Sequence, residues 1–268
     1  MRRLNRFLAP IFGSLRGVVL PSAMAILLLP ALALADPSVH LAWDDCGASG
    51  VATKTFACGG NAGSEVLVVS FVPPAGIDHF QGIETKLQLM GASPATLLDW
   101  WQLSSCRSGA LIADVDFTAG PFGCADPWLG QGAGGASFSS LNGQINAIAA
   151  LPAEAVRALD PAVEYDGLKI VIRNVKTTGA GACGGCTQPI GIMVGYVQLD
   201  SASPDPAYIY PSTLRETGAA PYVIWQCSGT PRLDLDWQYG YFLVGWDFPG
   251  CVTGARRPTW GAVKSLYR

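Results

Sequence analysis

Histidine is nearly missing from this sequence: His40 and His79 are the only two in 268 residues. General-base catalysis and zinc ligation therefore have few places to start. Neither the His-Glu-x-x-His run of zinc peptidases nor the Gly-x-Ser-x-Gly elbow of α/β-hydrolases occurs. No catalytic residue, metal or cofactor is expected. His79 follows Asp78 just after Pro73-Pro74 and reads as an idle surface histidine in a loop. Charge is scarce too, at 14% of residues, yet half the residues are hydrophobic, so the chain does not read as disordered. No period repeats along it, which disfavours a solenoid or propeller. There is also no long low-complexity linker, so one main domain is expected.

The basic residues are unevenly placed. "MRRLNRFLAPIFGSLR" carries Arg2, Arg3, Arg6 and Arg16 and no acid, and the apolar run "GVVLPSAMAILLLPALALA" follows it. This is the plan of a signal peptide. Pro21 and Pro30 interrupt the run, and Ala33-Leu34-Ala35 places small residues where a signal peptidase reads them. Cleavage is therefore expected before Asp36, and no cysteine stands there to carry a lipid. Without residues 1–35 the chain loses four of its 17 basic residues and none of its 20 acidic ones, which takes the formal charge from −3 to −7. Such a surface repels phosphate backbones, so nucleic acid is not an expected partner. After cleavage no membrane association is expected. The predicted location is the periplasm, the cell surface or the medium.

All eight cysteines lie beyond the leader: Cys46, Cys58, Cys106, Cys124, Cys183, Cys186, Cys227 and Cys251. An even number in an exported chain reads as four disulfides. Eight cysteines allow ~105 pairings. Their spacing suggests the nearest-neighbour set, Cys46 with Cys58, Cys106 with Cys124, Cys183 with Cys186 and Cys227 with Cys251. The Cys183-Gly-Gly-Cys186 motif also resembles a redox site, but that chemistry needs a helix N-terminus to lower the thiol pKa. Here the flanks "LKIVIRNVKT" and "IGIMVGYVQL" are β-branched and strand-like, so the motif reads as a structural staple.

Extended segments recur along the chain: "SVHLAW", "SEVLVVSFV", "GIETKLQLM", "ALIADVDF", "LKIVIRNVKT", "PIGIMVGYVQL", "YVIWQC" and "RLDLDWQYGYFLVGW". Turn-forming runs "PPAG", "TAGPFG" and "GQGAGGAS" separate them. This pattern predicts an all-β protein, a disulfide-stapled antiparallel β-sandwich of jelly-roll or immunoglobulin-like type. One short helical segment is expected within "SLNGQINAIAALPAEAVRALD", residues 140–160, where Pro152 suits a first helical position. The domains are thus a signal peptide (1–35), a β-sandwich (36–255) and a basic, aromatic tail (256–268). The tail reads as a last packed strand, or as a sorting or surface-attachment segment.

Candidate binding residues are few. Adjacent residues of a strand face opposite ways, so one indole of Trp100-Trp101 is expected outside, where it can meet a ligand. Trp237, Tyr239 and Tyr241 share a parity with Leu233 and Leu235 and read as a core stripe, with a sugar-stacking platform as the alternative. Asp114 with Asp116 and Asp234 with Asp236 are carboxylate pairs at strand spacing. They suit calcium, or the acid and base of a glycosidase if the pairs meet; an ordinary solvated face is the simpler reading. The function expected is an exported, non-catalytic structural or binding module that meets a glycan or a cell-surface protein. A secreted polysaccharide hydrolase is the alternative, and a thiol oxidoreductase comes third.

Overall fold

The structure, a computed structural model, describes residues 37–201 apart from 48, 92–96 and 121, and the backbone of four later strands. The strands are β1 (Ser38–Trp43), β2 (Thr53–Lys54), β3 (Ser64–Val72), β4 (Phe80–Gly91), β5 (Leu111–Asp114), β6 (Ala133–Ser139), β7 (Gln144–Ala150), β8 (Tyr165–Arg173) and β9 (Ile190–Ser201), followed by β10 (Ala207–Ile209), β11 (Tyr222–Trp225), β12 (Arg232–Asp236) and β13 (Leu243–Asp247). Two sheets form a β-sandwich, as the sequence predicts. The smaller has the order β1-β3-β8-β5, and the larger runs β2-β11-β9-β4-β7-β6 with β10 added on β9. The strand pairs are antiparallel except β2 with β11. β12 and β13 pair with each other as a separate hairpin.

The core lies between the sheets. Leu67, Val69 and Phe71 alternate along β3, and Ile83, Leu87 and Leu89 along β4; all are buried and belong to one cluster. Phe71, Phe80 and Trp128 join the sheets through ring contacts at 6.0 and 5.4 Å between centroids. β4 alternates buried with half-buried residues, as a strand with one wet face should. β3 does not alternate: Val68 and Ser70, of the opposite parity, are also fully buried. The chain around Cys46 and Cys124 lies over the outer face of the smaller sheet there, stitched by the Cys46–Cys124 bond.

A bulge shapes that outer face. Between Val69 and Ser70 the register to β8 skips Gly167, so Val69 faces Leu168 while Ser70 faces Asp166. A side chain at Gly167 would bring a Cβ within 2.7 Å of the Val69 carbonyl oxygen, so only glycine fits. Because Val68 faces Lys169 and shares a parity with Ser70, the skipped residue leaves Asp166 and Lys169 on one face.

Three expectations are corrected here. Residues 140–160 are not helical: Gln144–Ala150 is β7, and the helical part shrinks to a single 3-10 turn, Ala153–Ala155, just after Pro152. Ile145, Ala147 and Ala149 alternate inward with a period of two, and pairing with β4 and β6 overrides the helix preference of alanine. The glycine-rich run at 130–137 carries most of β6 rather than a plain turn. The nearest-neighbour cysteine pairing is replaced by Cys46–Cys124, Cys58–Cys186 and Cys106–Cys183. Cys227, Cys251, the aromatic stripe at Trp237, Tyr239 and Tyr241, the leader and the tail at 256–268 lie outside the described residues.

Candidate functional site

Two surfaces carry chemistry, and neither is centred on the expected residues. Trp100 and Trp101 lie in a 3-10 turn, Asp99–Trp101, not a strand, and both are fully buried. The two indoles meet edge to face at 4.9 Å. Trp100 Nε1 donates to Thr177 Oγ1 at 3.0 Å. The expectation of an outward indole fails because a tight turn does not alternate its side chains as a strand does. Cys183 and Cys186 each reach a different distant cysteine, so the Cys-Gly-Gly-Cys turn is a staple, though not a bridge within itself.

Asp114 and Asp116 do not act as a pair. Asp114 Oδ2 meets Lys169 Nζ at 2.9 Å, while Asp114 Oδ1 accepts the Asp116 N–H. Asp116 in turn holds Thr118 through its side-chain hydroxyl and its backbone N–H, and these two bonds keep the carboxyl below the usual range. Val115 between them is buried. Asp114 ends β5 and Asp116 lies two residues beyond it, each already engaged by neighbouring groups. The side chains of Asp234 and Asp236 lie outside the described residues. His79 is exposed.

The first surface is the outward face of the larger sheet. The register sets Ser137, Asn146, Lys86 and Tyr196 in one row, with Gly135, Ile148, Glu84 and Gln198 on one side and Ser139, Gln144, Gln88 and Met193 on the other. Glu84, Lys86, Gln88, Gln144, Asn146, Tyr196 and Gln198 are half-buried, set upright by their neighbours. Lys86 Nζ lies 4.8 Å from the Tyr196 ring centroid, and the Tyr196 hydroxyl donates to Glu84 Oε1. Gln198 Nε2 donates to Asp200 Oδ1 at 2.6 Å. The result is a field of amides and carboxylates around one phenol, with Ile148 exposed among them.

The second surface lies behind the smaller sheet, where His40, Ser70 and Asp166 stand in one row across β1, β3 and β8. His40 Nδ1 and Ser70 Oγ both bond Glu164 Oε1, each at 2.6 Å. A nucleophilic relay needs the imidazole between the hydroxyl and the acid. Here the acid is in the middle and Ser70 is fully buried, so the set positions Glu164 and attacks nothing. Burial raises the Glu164 carboxyl, but the His40 and Ser70 hydrogen bonds outweigh it and hold the group below its ordinary value. Gly47 closes over it: a Cβ there would lie 2.2 Å from Glu164 Oε1.

Asp166 is 1% exposed, and neither carboxylate oxygen has a hydrogen-bond partner among the described residues. Burial above all, then the charges of Asp45, Asp126 and Glu164, push its carboxyl up to about 7, with Lys169 pulling the other way. Unfolded, the same group titrates near ~4. Folding therefore favours the protonated form, and stability from this residue is lost as pH rises from 4 through 7. With EDTA present, raising the pH from about 5 to about 8 is expected to cost roughly 2–3 kcal/mol. Asp166→Asn should flatten that slope in calorimetric melts; an unchanged slope would assign the loss elsewhere. The opposing contribution of Glu164 falls below pH ~4, outside this window.

Of these acids only the 114–116 pair and Asp45, which with Asp44 beside Cys46 reads as a turn, stand out in the sequence. The only signal for Asp166 is an acid set directly before a buried β-branched run, "DGLKIVI".

No protein-family model matches the chain, and no curated protein sequence matches it. Among solved structures it is similar to a cohesin module from a family 33 glycoside hydrolase of Clostridium perfringens, at 6% identity over 64% of this chain and 90% of that one, with a TM-score of 0.34. A type II cohesin domain from the cellulosome of Acetivibrio cellulolyticus gives 10% identity, 65% and 89% coverage and a TM-score of 0.31. BcpA, the major pilin subunit of Bacillus cereus, gives 7%, 71% and 40%, and 0.29. Likeness this distant carries no argument about activity or partner. Among the described residues no helix is long and apolar enough to cross a membrane.

Proposed function

We propose that this chain is an exported, non-catalytic binding module and that the outward face of the larger sheet recognises a glycan. The supporting observation is the row Asn146, Lys86 and Tyr196, flanked by Gln88, Gln144, Glu84 and Gln198. Planar amides and carboxylates suit the paired hydroxyls of a sugar, with Tyr196 held among them by Lys86 and Glu84. Their seating on a stapled sheet keeps the ordering cost of binding low. Export rests on the leader at 1–35, with mature sequence from Asp36, and fits a chain whose described cysteines are all bridged. The hydrolase reading loses one of its two carboxylate pairs, since Asp114 and Asp116 are engaged at the end of β5.

Affinity electrophoresis in gels containing soluble polysaccharides tests the proposal. Retardation by at least one polysaccharide is expected. Gln88→Ala with Gln144→Ala should weaken it at least ~10-fold, a loss of about 1.4 kcal/mol or more, while the melting temperature holds. Migration unaffected by any polysaccharide, or retardation indifferent to the double substitution, would leave the face an ordinary solvated surface.

A further inference from the structure

We propose that the carboxylates of Asp45, Asp126, Glu164 and Asp166 form a binding site for a calcium-like divalent cation. The four come from three segments brought together behind the smaller sheet. Asp45 adjoins Cys46, and Asp126 lies two residues past Cys124, so the Cys46–Cys124 bond fixes their neighbourhood. Ala125 N–H donates to the Glu164 carbonyl and Asp166 N–H to that of Ala125, which ties Asp126 to Glu164 and Asp166.

The hydrogen bonds follow one pattern. Asp45 Oδ1 accepts the N–H groups of Cys46 and Gly123 at 2.7 and 2.9 Å. Asp126 Oδ1 accepts the Trp128 N–H at 2.8 Å. Glu164 Oε1 accepts His40 and Ser70. In each case the second oxygen accepts no hydrogen bond among the described residues. Asp166, fully enclosed, has both oxygens in that state. Carboxylates oriented through one oxygen and offering the other are what a metal site needs from its supporting shell. A fully buried carboxylate with no donor of its own is otherwise a costly arrangement. Lys169, the nearest cation, is already engaged by Asp114, the Asp116 carbonyl and the rings of Phe117 and Phe122.

The donor chemistry selects the ion. Every available donor is oxygen, and the one imidazole, His40, has its Nδ1 on Glu164. Oxygen-only sets suit calcium or magnesium over zinc, and an irregular set drawn from loops suits calcium over strictly octahedral magnesium. The site closes on binding. Among the described residues the one trio of candidate ligand atoms within 4.8 Å of one another is Cys46, Cys124 and Glu164, two of which are disulfide sulfurs. The cation therefore has to draw the half-buried side chains of Asp45 and Asp126 toward Asp166, which β8 holds in place.

Thermal melts of the exported protein in EDTA and in about 10 mM calcium test this, together with terbium luminescence excited through tryptophan. Trp128 Nε1 donates to the carbonyls of Asp166 and Gly167, so an indole stands beside the site as a sensitiser. Calcium should raise the melting temperature by about 5 °C at ~100-fold excess over Kd. Terbium emission should appear and be displaced by calcium. Asp166→Asn should abolish both responses while melting no lower in EDTA. If that variant does not fold, Asp126→Asn should weaken calcium binding by ~10-fold or more. No calcium shift and no sensitised emission in the wild-type protein would overturn the site, as would an undiminished response in these variants.

Discussion

Replacing Cys58 and Cys186 by serine is expected to lower the melting temperature by roughly 10–20 °C. The bond they form spans 128 residues of sequence, and the other two span 78 and 77. Cross-links over such distances remove far more freedom from the unfolded chain than the short loops of a nearest-neighbour pairing. The chain-entropy relation gives about 4–5 kcal/mol for each. In a domain of this size each kcal/mol corresponds to roughly 2–4 °C. Full reduction should therefore abolish cooperative melting near ambient temperature. Scanning calorimetry with and without a phosphine reductant measures this, with non-reducing peptide mapping to identify the bonds. A melt unmoved by loss of the Cys58–Cys186 bond would mean that the sandwich does not depend on its staples.

Arg107→Ala should be almost as damaging, lowering stability by roughly 3–5 kcal/mol. Arg107 is fully buried, and no carboxylate pairs with it among the described residues. Its guanidinium stacks 3.5 Å above the Trp100 ring and donates to the carbonyls of Trp100, Val175 and Arg173. Loss of hydration brings its pKa down to about 10, which leaves it charged at neutral pH. Truncation removes the donors of three carbonyls together and opens a void beside Trp100. Arg107→Lys should recover little, because one ammonium cannot span carbonyls that the planar fork reaches from two sides. Circular dichroism melts decide the matter: a drop of only a degree or two for the alanine variant would show that the loops after Trp101 and after Arg173 hold without it.

Much of the fold was legible because β-branched runs bounded by glycine and proline leave little choice. "SEVLVVSFV" is β3 from end to end, and "SVHLAW" is β1. Pro152 suits a helix start, but at 144–150 the alternation of Ile145, Ala147 and Ala149 and pairing with β4 and β6 decide for a strand. Cysteine pairing was illegible for a different reason, since proximity along the chain says nothing about which loop ends meet across a sandwich. The burial of both Trp100 and Trp101 is not legible from parity, which holds in a strand and not in their 3-10 turn. The roles of Asp166 and Glu164 are not legible in the sequence because the segments around Cys46 and Cys124, which close over them, are remote along the chain. The polar rows across β4, β7 and β9 depend on register, which only the paired strands fix.

The three bridges also interlock. Cys46–Cys124 and Cys58–Cys186 overlap, so every peptide bond between residues 46 and 186 is enclosed by at least one of them. A single proteolytic nick anywhere in that stretch leaves the two pieces covalently joined and still able to hold their sheets. For an exported chain among peptidases, a cut loop would then be a scar and not a loss of the molecule.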